Sequence, residues 1–274
     1  MSCKSRLISF RGKSAVITGA SSGIGRLLAL RVARAGARVA LVARREAALR
    51  QLADEIEKGG GQTLVLPCDV AERADVFACA EQATRVFGNV DILVNNAGYG
   101  HHRRFLEWDL DDMERMLRVN FLGALYWTKA LLPQMVERRT GWLVFMASVA
   151  GKLGVPEESA YAASKFAVVG LAEALSIELE DAGVHVLTVC PGTIDTPFFD
   201  AEALERMPPV SKRMMIPPGR VVDAVFQALA RGKYEVTVPR LIAAGYVVRA
   251  LAPGLMRRNT KRTTIDAVAK RAKS

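Results

Sequence analysis

Histidine, cysteine and long apolar runs are all scarce in this chain. Three histidines and four cysteines among 274 residues leave little material for a zinc site, and Cys3, Cys68, Cys79 and Cys190 show no CxxC spacing. No secretory leader precedes the cysteines, so they are expected to be reduced thiols in a cytoplasmic protein. No apolar run reaches the roughly 18 residues that a membrane span requires. The stretch from Leu241 to Met256 comes nearest before Arg249 and Pro253 interrupt it. Internal repeats and linkers are also lacking, so 274 residues, half of them apolar, fit one large α/β domain with a substantial core. The formal net charge is +10, but seven Lys/Arg and one Asp lie between Arg257 and Ser274, a net of +6. Most of the excess is a tail. A nucleic-acid binder needs its cations on a groove-reading element, and no nucleic-acid partner is expected.

The G-x-G-x-x-G dinucleotide fingerprint is missing too, yet its physics is present in another spacing. Ser14 to Ile17 reads as a short buried strand that runs into Thr18, Gly19, Ser21, Ser22, Gly23, Ile24 and Gly25, and then into the apolar helical pattern of Leu27, Leu28, Leu30, Val32 and Ala33, stopped at Gly36. Strand, glycine-rich turn and helix N-terminus together make an anion site, because glycines let a phosphate approach the backbone and the first helical N–H groups point at it. A second buried strand, Arg38 to Val42, ends at Arg44 and Arg45, about twenty residues beyond the glycines. An acidic residue there would hold ribose hydroxyls; a guanidinium instead suits a 2′-phosphate, which points to NADP(H) rather than NAD(H).

Further βα units follow in order. A helix from Glu46 to Lys58 leads to strand three, Thr63 to Pro67, which delivers Asp69 and Val70 to its carboxyl end, with Asp69 placed to hydrogen-bond an adenine. A helix from about Ala74 to Phe87 leads to strand four, Asp91 to Val94, and then Asn95, Asn96, Ala97 and Gly98. His101 and His102, in a polar loop with Arg103 and Arg104, read as surface residues. Asp111 to Glu137 reads as one long helix, in which Asn120 among apolar neighbours must be either exposed or fully hydrogen-bonded. Strand five, Trp142 to Met146, ends at Ser148, on the sheet edge that carries the glycine turn. In the Ala-rich helix beyond it, running to about Asp181, Tyr161 and Lys165 lie four apart and so share one face. A nearby ammonium favours phenolate, which makes Tyr161 a candidate general acid/base, although the same spacing occurs on ordinary helices. Strand six, Val184 to Val189, reaches Pro191, Gly192, Ile194 and Thr196; an irregular stretch with Phe198, Phe199, Met207, Met214, Met215 and four prolines precedes strand seven, Tyr234 to Val238.

This pattern implies a single Rossmann-like doubly wound α/β domain, a parallel sheet of about seven strands with helices on both faces. The chain divides into residues 1–240, which carry the nucleotide and catalytic motifs, and residues 241–274, an apolar helix with a basic tail. Thr18 to Gly25, Asn95 to Gly98, Asn120, Ser148, Tyr161 with Lys165, and Pro191-Gly192 with Thr196 resemble, in order and spacing, the motifs of the short-chain dehydrogenase/reductase family in its shorter, non-extended branch. The resemblance covers nearly all of residues 10–240. It implies that Tyr161 exchanges the proton with a carbonyl or alcohol, that Ser148 holds the same oxygen, that Lys165 lowers the Tyr161 pKa and binds the nicotinamide ribose, and that Asn120 keeps a relay water. It also implies that Val119 contacts the adenine side and that Ile194 and Thr196 contact the carboxamide. One departure is Ser22, where some NADP enzymes of the family carry a basic residue, so the NADP(H) assignment rests on Arg44 and Arg45. Homodimers or homotetramers are common in the family.

Phe198 to Met215 matches the family's mobile substrate lid, and its Phe and Met residues suit either an apolar ligand or packing on the body. The resemblance implies a ketone/alcohol oxidoreductase, with a long-chain 3-oxo, sphingoid-like or steroid-like substrate as the first candidate and a 3-oxoacyl thioester as the alternative. A non-catalytic nucleotide-sensing or scaffold protein on the same fold would be expected to have lost part of the Asn120, Ser148, Tyr161 and Lys165 set. The apolar segment from Leu241 to Met256, ending in Arg257 and Arg258, fits either a helix lying at a membrane surface or one that covers a neighbouring subunit.

Overall fold

The computed structural model describes residues 9–199 and 201–266; Cys3 and the last eight residues of the basic tail lie outside them. Seven strands form one sheet: β1 (Ser14–Thr18), β2 (Arg38–Ala43), β3 (Gln62–Pro67), β4 (Ile92–Asn95), β5 (Gly141–Met146), β6 (Val184–Pro191) and β7 (Glu235–Val238). Their order is β3-β2-β1-β4-β5-β6-β7. Every pairing is parallel, so all carboxyl ends share one edge. Between β1 and β4 the chain order reverses, and it is there that an open α/β sheet leaves a crevice.

The strands read as near-continuous apolar runs because both faces are covered. On β1, Ile17 packs with Leu28, Leu41, Leu49 and Val222 on one face, while Val16 packs with Leu93, Trp127, Leu131 and Leu143 on the other. Helices α1 (Gly23–Arg34) and α2 (Glu46–Lys58) supply the first layer, and α3 (Arg73–Phe87) the second. The long helix expected between residues 111 and 137 is interrupted. It consists of α4 (Leu110–Leu117), one π turn (Arg118–Leu122) and α5 (Gly123–Glu137). The extra residue of a π turn rotates side chains out of the 3.6-residue register, and here it carries Asn120 inward. Gly123 follows at a tight packing point, where a Cβ would lie 2.9 Å from the Val70 carbonyl oxygen.

Helix α6 (Ser159–Glu178) presents Tyr161 and Lys165. Among the described residues it is the single helix long and apolar enough to cross a membrane, but Val168, Val169 and Ala172 are buried in the second core layer. The stretch after β6 is less irregular than expected. It contains α7 (Ala201–Arg206), α8 (Pro209–Arg213) and α9 (Pro218–Ala230), the last packed on the α1 face. The prolines that suggested irregularity stand at helix starts, where a missing N–H costs nothing. After β7 come a turn at Arg240–Ile242, α10 (Ala243–Leu251) and α11 (Pro253–Thr263). The apolar C-terminal segment is thus two helices, divided where Pro253 begins the second.

Candidate active site

The β1–α1 turn is shaped by backbone crowding. Gly19 has φ +67°, and a Cβ there would lie 2.8 Å from Asn96 Nδ2; at Gly25 it would collide with the Gly19 carbonyl oxygen. Thr18 and Asn96 stitch the ends of β1 and β4 together. Thr18 Oγ1 accepts from the Asn96 and Ala97 amides at 2.9 and 3.0 Å, and Asn96 Nδ2 donates to the Thr18 carbonyl at 2.9 Å. Ser22 is the extended N-cap residue of α1, and no acid occupies that helix's first turn. The free N–H groups and helix dipole therefore face an anion without competition.

At one end of the crevice, Arg44 and Arg45 stand beyond β2, with Arg45 donating to Ser21 Oγ at 3.1 Å. Asp69 is more committed than its sequence position indicated: it accepts from the Ala71 amide at 3.0 Å and from Arg115 at 2.6 Å. Burial opposes its charge, but these two donors and the positive field of Arg115 hold its carboxyl below the usual range. Arg115 was missed by sequence reasoning, because no local signal links residues 46 positions apart.

Towards the other end, β5 delivers Ser148, whose Oγ accepts from the Ala150 amide at 3.1 Å and reaches the Pro191 carbonyl at 3.5 Å. Burial pushes the Tyr161 phenol well above its ordinary pKa; a hydrogen bond with Ser148 pulls the other way, and the Glu158 charge adds to the rise. Burial also brings Lys165 down to about 8. The expected depression of the Tyr161 pKa by Lys165 is not seen here. Although the two share a helix face, the Lys165 ammonium turns to the Met146 carbonyl at 2.9 Å and lies 5.7 Å from the centre of the Tyr161 ring.

Asn120 is 2% exposed and fully bonded. Its amide donates to the Tyr99 carbonyl at 2.9 Å and to Ser164 Oγ at 3.0 Å, while its oxygen accepts from the Tyr99 amide at 2.9 Å. His102 corrects the surface reading: it is 5% exposed, its Nε2 lies 3.0 Å from Glu158, and its ring stacks on Phe199 at 6.1 Å. Phe199 meets Phe198 at 5.1 Å, and Phe198 meets the Tyr161 ring edge-on at 5.7 Å. Gly100, also unforeseen, lets the chain pass this cluster, since a Cβ would lie 2.9 Å from Tyr161 Cδ2.

One cavity of about 400 Å³ joins these parts. Gly19, Ser21, Ser22, Gly23, Ile24, Gly25, Arg44, Arg45, Asp69, Val70, Asn96, Ala97, Gly98, Val119, Ser148, Tyr161, Lys165, Pro191, Gly192, Ile194 and Thr196 all line it, together with Tyr99, Phe198 and Phe199. Asn120 stands behind the wall. A dinucleotide fits this donor set: glycine backbone and a helix N-terminus for phosphates, cations at one end, and a phenol with an ammonium at the other.

Comparison with known proteins gives the family. Residues 13–206 match the short chain dehydrogenase family model, and the chain belongs to the short-chain dehydrogenase/reductase family. It is 34% identical over 255 residues to a 3-ketodihydrosphingosine reductase of Bos taurus, covering 89% of this chain and 75% of that one. It is 33% identical over 227 residues to the ketoacyl reductase HetN of a Nostoc species, covering 83% and 78%. Among solved structures, a short chain dehydrogenase/reductase from Burkholderia phymatum in complex with NAD superposes with a TM-score of 0.81 at 30% identity, covering 90% of this chain and 96% of the other. A metagenomic short-chain oxidoreductase in complex with NADP gives 0.72 at 30% identity, covering 84% and 98%. The protein is therefore an oxidoreductase of this family with a nicotinamide nucleotide site.

Proposed function

We propose that the protein interconverts a ketone and a secondary alcohol with NADP(H), on an apolar substrate such as a long-chain 3-oxo, sphingoid-like or steroid-like compound, as a cytoplasmic homodimer or homotetramer. The observation that carries this reading is the convergence of Ser148, Tyr161 and Lys165 on one cavity, with Arg44 and Arg45 at one end and Phe198 and Phe199 near the phenol.

The nucleotide, when bound, supplies or accepts the hydride. Tyr161 remains a phenol at neutral pH because of its burial, and in the reductive direction it gives its proton to the carbonyl oxygen. Ser148 turns its hydroxyl from the long contact with Pro191 to the same oxygen, where negative charge develops. Lys165 is largely an ammonium at pH 7, with its pKa at about 8, and it holds the ribose. Asn120 fixes the Tyr99 loop and Ser164, and keeps the relay water implied by the family resemblance. Arg44 and Arg45 grip the 2′-phosphate, Asp69 and Val70 border the adenine with Val119, and Ile194 and Thr196 take the carboxamide. The nucleotide choice is supported by the two arginines, and the apolar substrate by the phenylalanines and by similarity to the 3-ketodihydrosphingosine reductase. Similarity to HetN favours a 3-oxoacyl thioester as the second reading.

The test is nucleotide consumption by the purified protein with NADPH and with NADH, against long-chain 3-oxo bases, 3-oxosteroids and 3-oxoacyl thioesters. NADPH oxidation with an apolar ketone is expected. No turnover with any ketone, or preference for NADH, would overturn the corresponding part of the proposal.

A further inference from the structure

The two helices after β7 have sharply different faces. On the inner side, the Ile242 side chain packs against Gly192, which lines the cavity; Tyr246 bonds Thr237 at 3.3 Å; and Arg249 donates to the Lys152 carbonyl and stacks over Phe166 at 5.2 Å. The outer side is bare. Leu241 and Leu251 are each 82% exposed, Leu255 59%, Val247 58% and Val248 38%. Five aliphatic side chains, Leu241 on the turn and four on the two adjoining helices, form more than the scattered apolar exposure of an ordinary surface. The same segment carries Arg240, Arg257, Arg258, Lys261 and Arg262, all exposed, and no Asp or Glu occurs from Arg240 to Ile265.

We propose that this face docks on an anionic lipid bilayer. The aliphatic side chains enter the headgroup boundary and the cations meet the lipid phosphates, as in an amphipathic helix lying in the interface plane. Charge separates this occupant from a second copy of the chain. In a two-fold interface a surface meets itself, so a segment with five exposed cations and no carboxylate between Arg240 and Ile265 would oppose its own charge. An acidic polymer would match the cations but leave the aliphatic face in water. The bilayer matches both. Because all seven strands are parallel, the Arg240 turn leaves the sheet at the edge that holds the cavity, as does the turn after β4 with Leu106, which is 95% exposed. Docking therefore sets the cavity edge near the lipid. The proposal rests on this surface alone and stands or falls independently of the substrate reading.

The experiment is flotation of the full chain with vesicles of phosphatidylcholine, with and without phosphatidylglycerol, at low and high salt. Binding is expected with the anionic vesicles at low salt and should weaken at high salt, where a shorter screening length cuts the attraction between the cations and the lipid phosphates. Each cation near such a surface changes partition by about fivefold, so Arg257→Gln with Arg258→Gln should weaken it by about 25-fold. Leu241→Glu with Leu251→Glu should abolish flotation while nucleotide binding and melting temperature stay at wild-type values. If that variant melts early, Leu251→Ser replaces it, with reduced flotation expected. An intact protein that stays in solution with anionic vesicles, or a leucine variant that floats like wild type, overturns the proposal. Loss of oligomeric state in the leucine variants, with no wild-type flotation, overturns it in favour of a subunit interface.

Discussion

At the β1–α1 turn the cavity wall is backbone: Gly19 and Gly25 leave no space for a Cβ, and Thr18 and Asn96 tie two strand ends together. At the lid the wall is ring edges and ion pairs. Phe198 leans on Tyr161, Phe199 on His102, and Arg206 of α7 bridges to Glu107 at 2.5 Å and to Glu157 at 3.6 Å. Backbone walls hold their shape through the sheet, whereas contacts among partly exposed charges contribute little each and exchange readily. The nucleotide end is thus held by backbone, and the end at Phe198 to Arg206 by side-chain contacts.

Tyr161 stands where the two ends meet, and its removal should have the largest effect. Tyr161→Phe is expected to lower turnover by ~10²–10⁴-fold, the usual range for general acid/base groups, while nucleotide affinity is nearly unchanged. Steady-state kinetics with nucleotide titration checks both, and unchanged turnover would remove Tyr161 from the mechanism. Next comes the rigid end. Gly25→Ala must displace backbone, so a stability loss near the top of the ~1–3 kcal/mol range for overpacking is expected, measured by denaturant melts. Phe198→Ala at the lid is expected to cost less than that in stability and to appear as a raised KM for apolar ketones. Equal stability losses at the two positions would erase the contrast between the ends.

The same contrast explains what could be read before the structure was known. The glycine turn, the four residues after β4 and the Tyr161–Lys165 spacing are contiguous or near-contiguous, and their roles follow from local backbone geometry. Gly19, the run from Ser21 to Gly25, Asn96 to Gly98, Tyr161 and Lys165 reach one cavity wall. The π turn at Asn120 was hidden because a helix with one extra residue looks like a helix in sequence. His102 looked exposed beside two arginines, yet its burial depends on Glu158 and Phe199, each more than fifty residues away. Helix α9 went unseen behind Pro217 and Pro218, which begin it rather than forbid it. Long-range side-chain pairs such as Asp69–Arg115 leave no local trace, and the lid end depends on such pairs.

Arg44 tests whether the cationic end distinguishes nucleotides. If it grips the 2′-phosphate, Arg44→Ala should weaken NADPH by about 2 kcal/mol, within the range for charged hydrogen bonds, and barely affect NADH. Fluorescence titration of both nucleotides against both proteins measures the difference. Equal losses would make Arg44 a structural residue and leave the 2′-phosphate to Arg45.

The smallest expected effect lies beneath the lid. Burial pushes Glu158 from its ordinary value of 4.5 up to about 7, while His102 Nε2 at 3.0 Å offsets part of the cost of its charge. The folded-state pKa is raised, so the unfolded chain gives up this proton first as pH increases. The associated stability is fully present below about pH 4.5 and is lost as pH rises through about 7. Wild-type stability is expected to fall over that window by less than the roughly 3 kcal/mol that the full rise would bring, because the His102 contact retains part of it. Glu158→Gln keeps the shape and removes the titration, so its stability should vary less with pH. Urea melts of both proteins at several pH values across the window decide it. Parallel curves would mean that Glu158 keeps its charge in the folded protein, held by His102, and that the lid rests on a fixed ion pair rather than a titrating one.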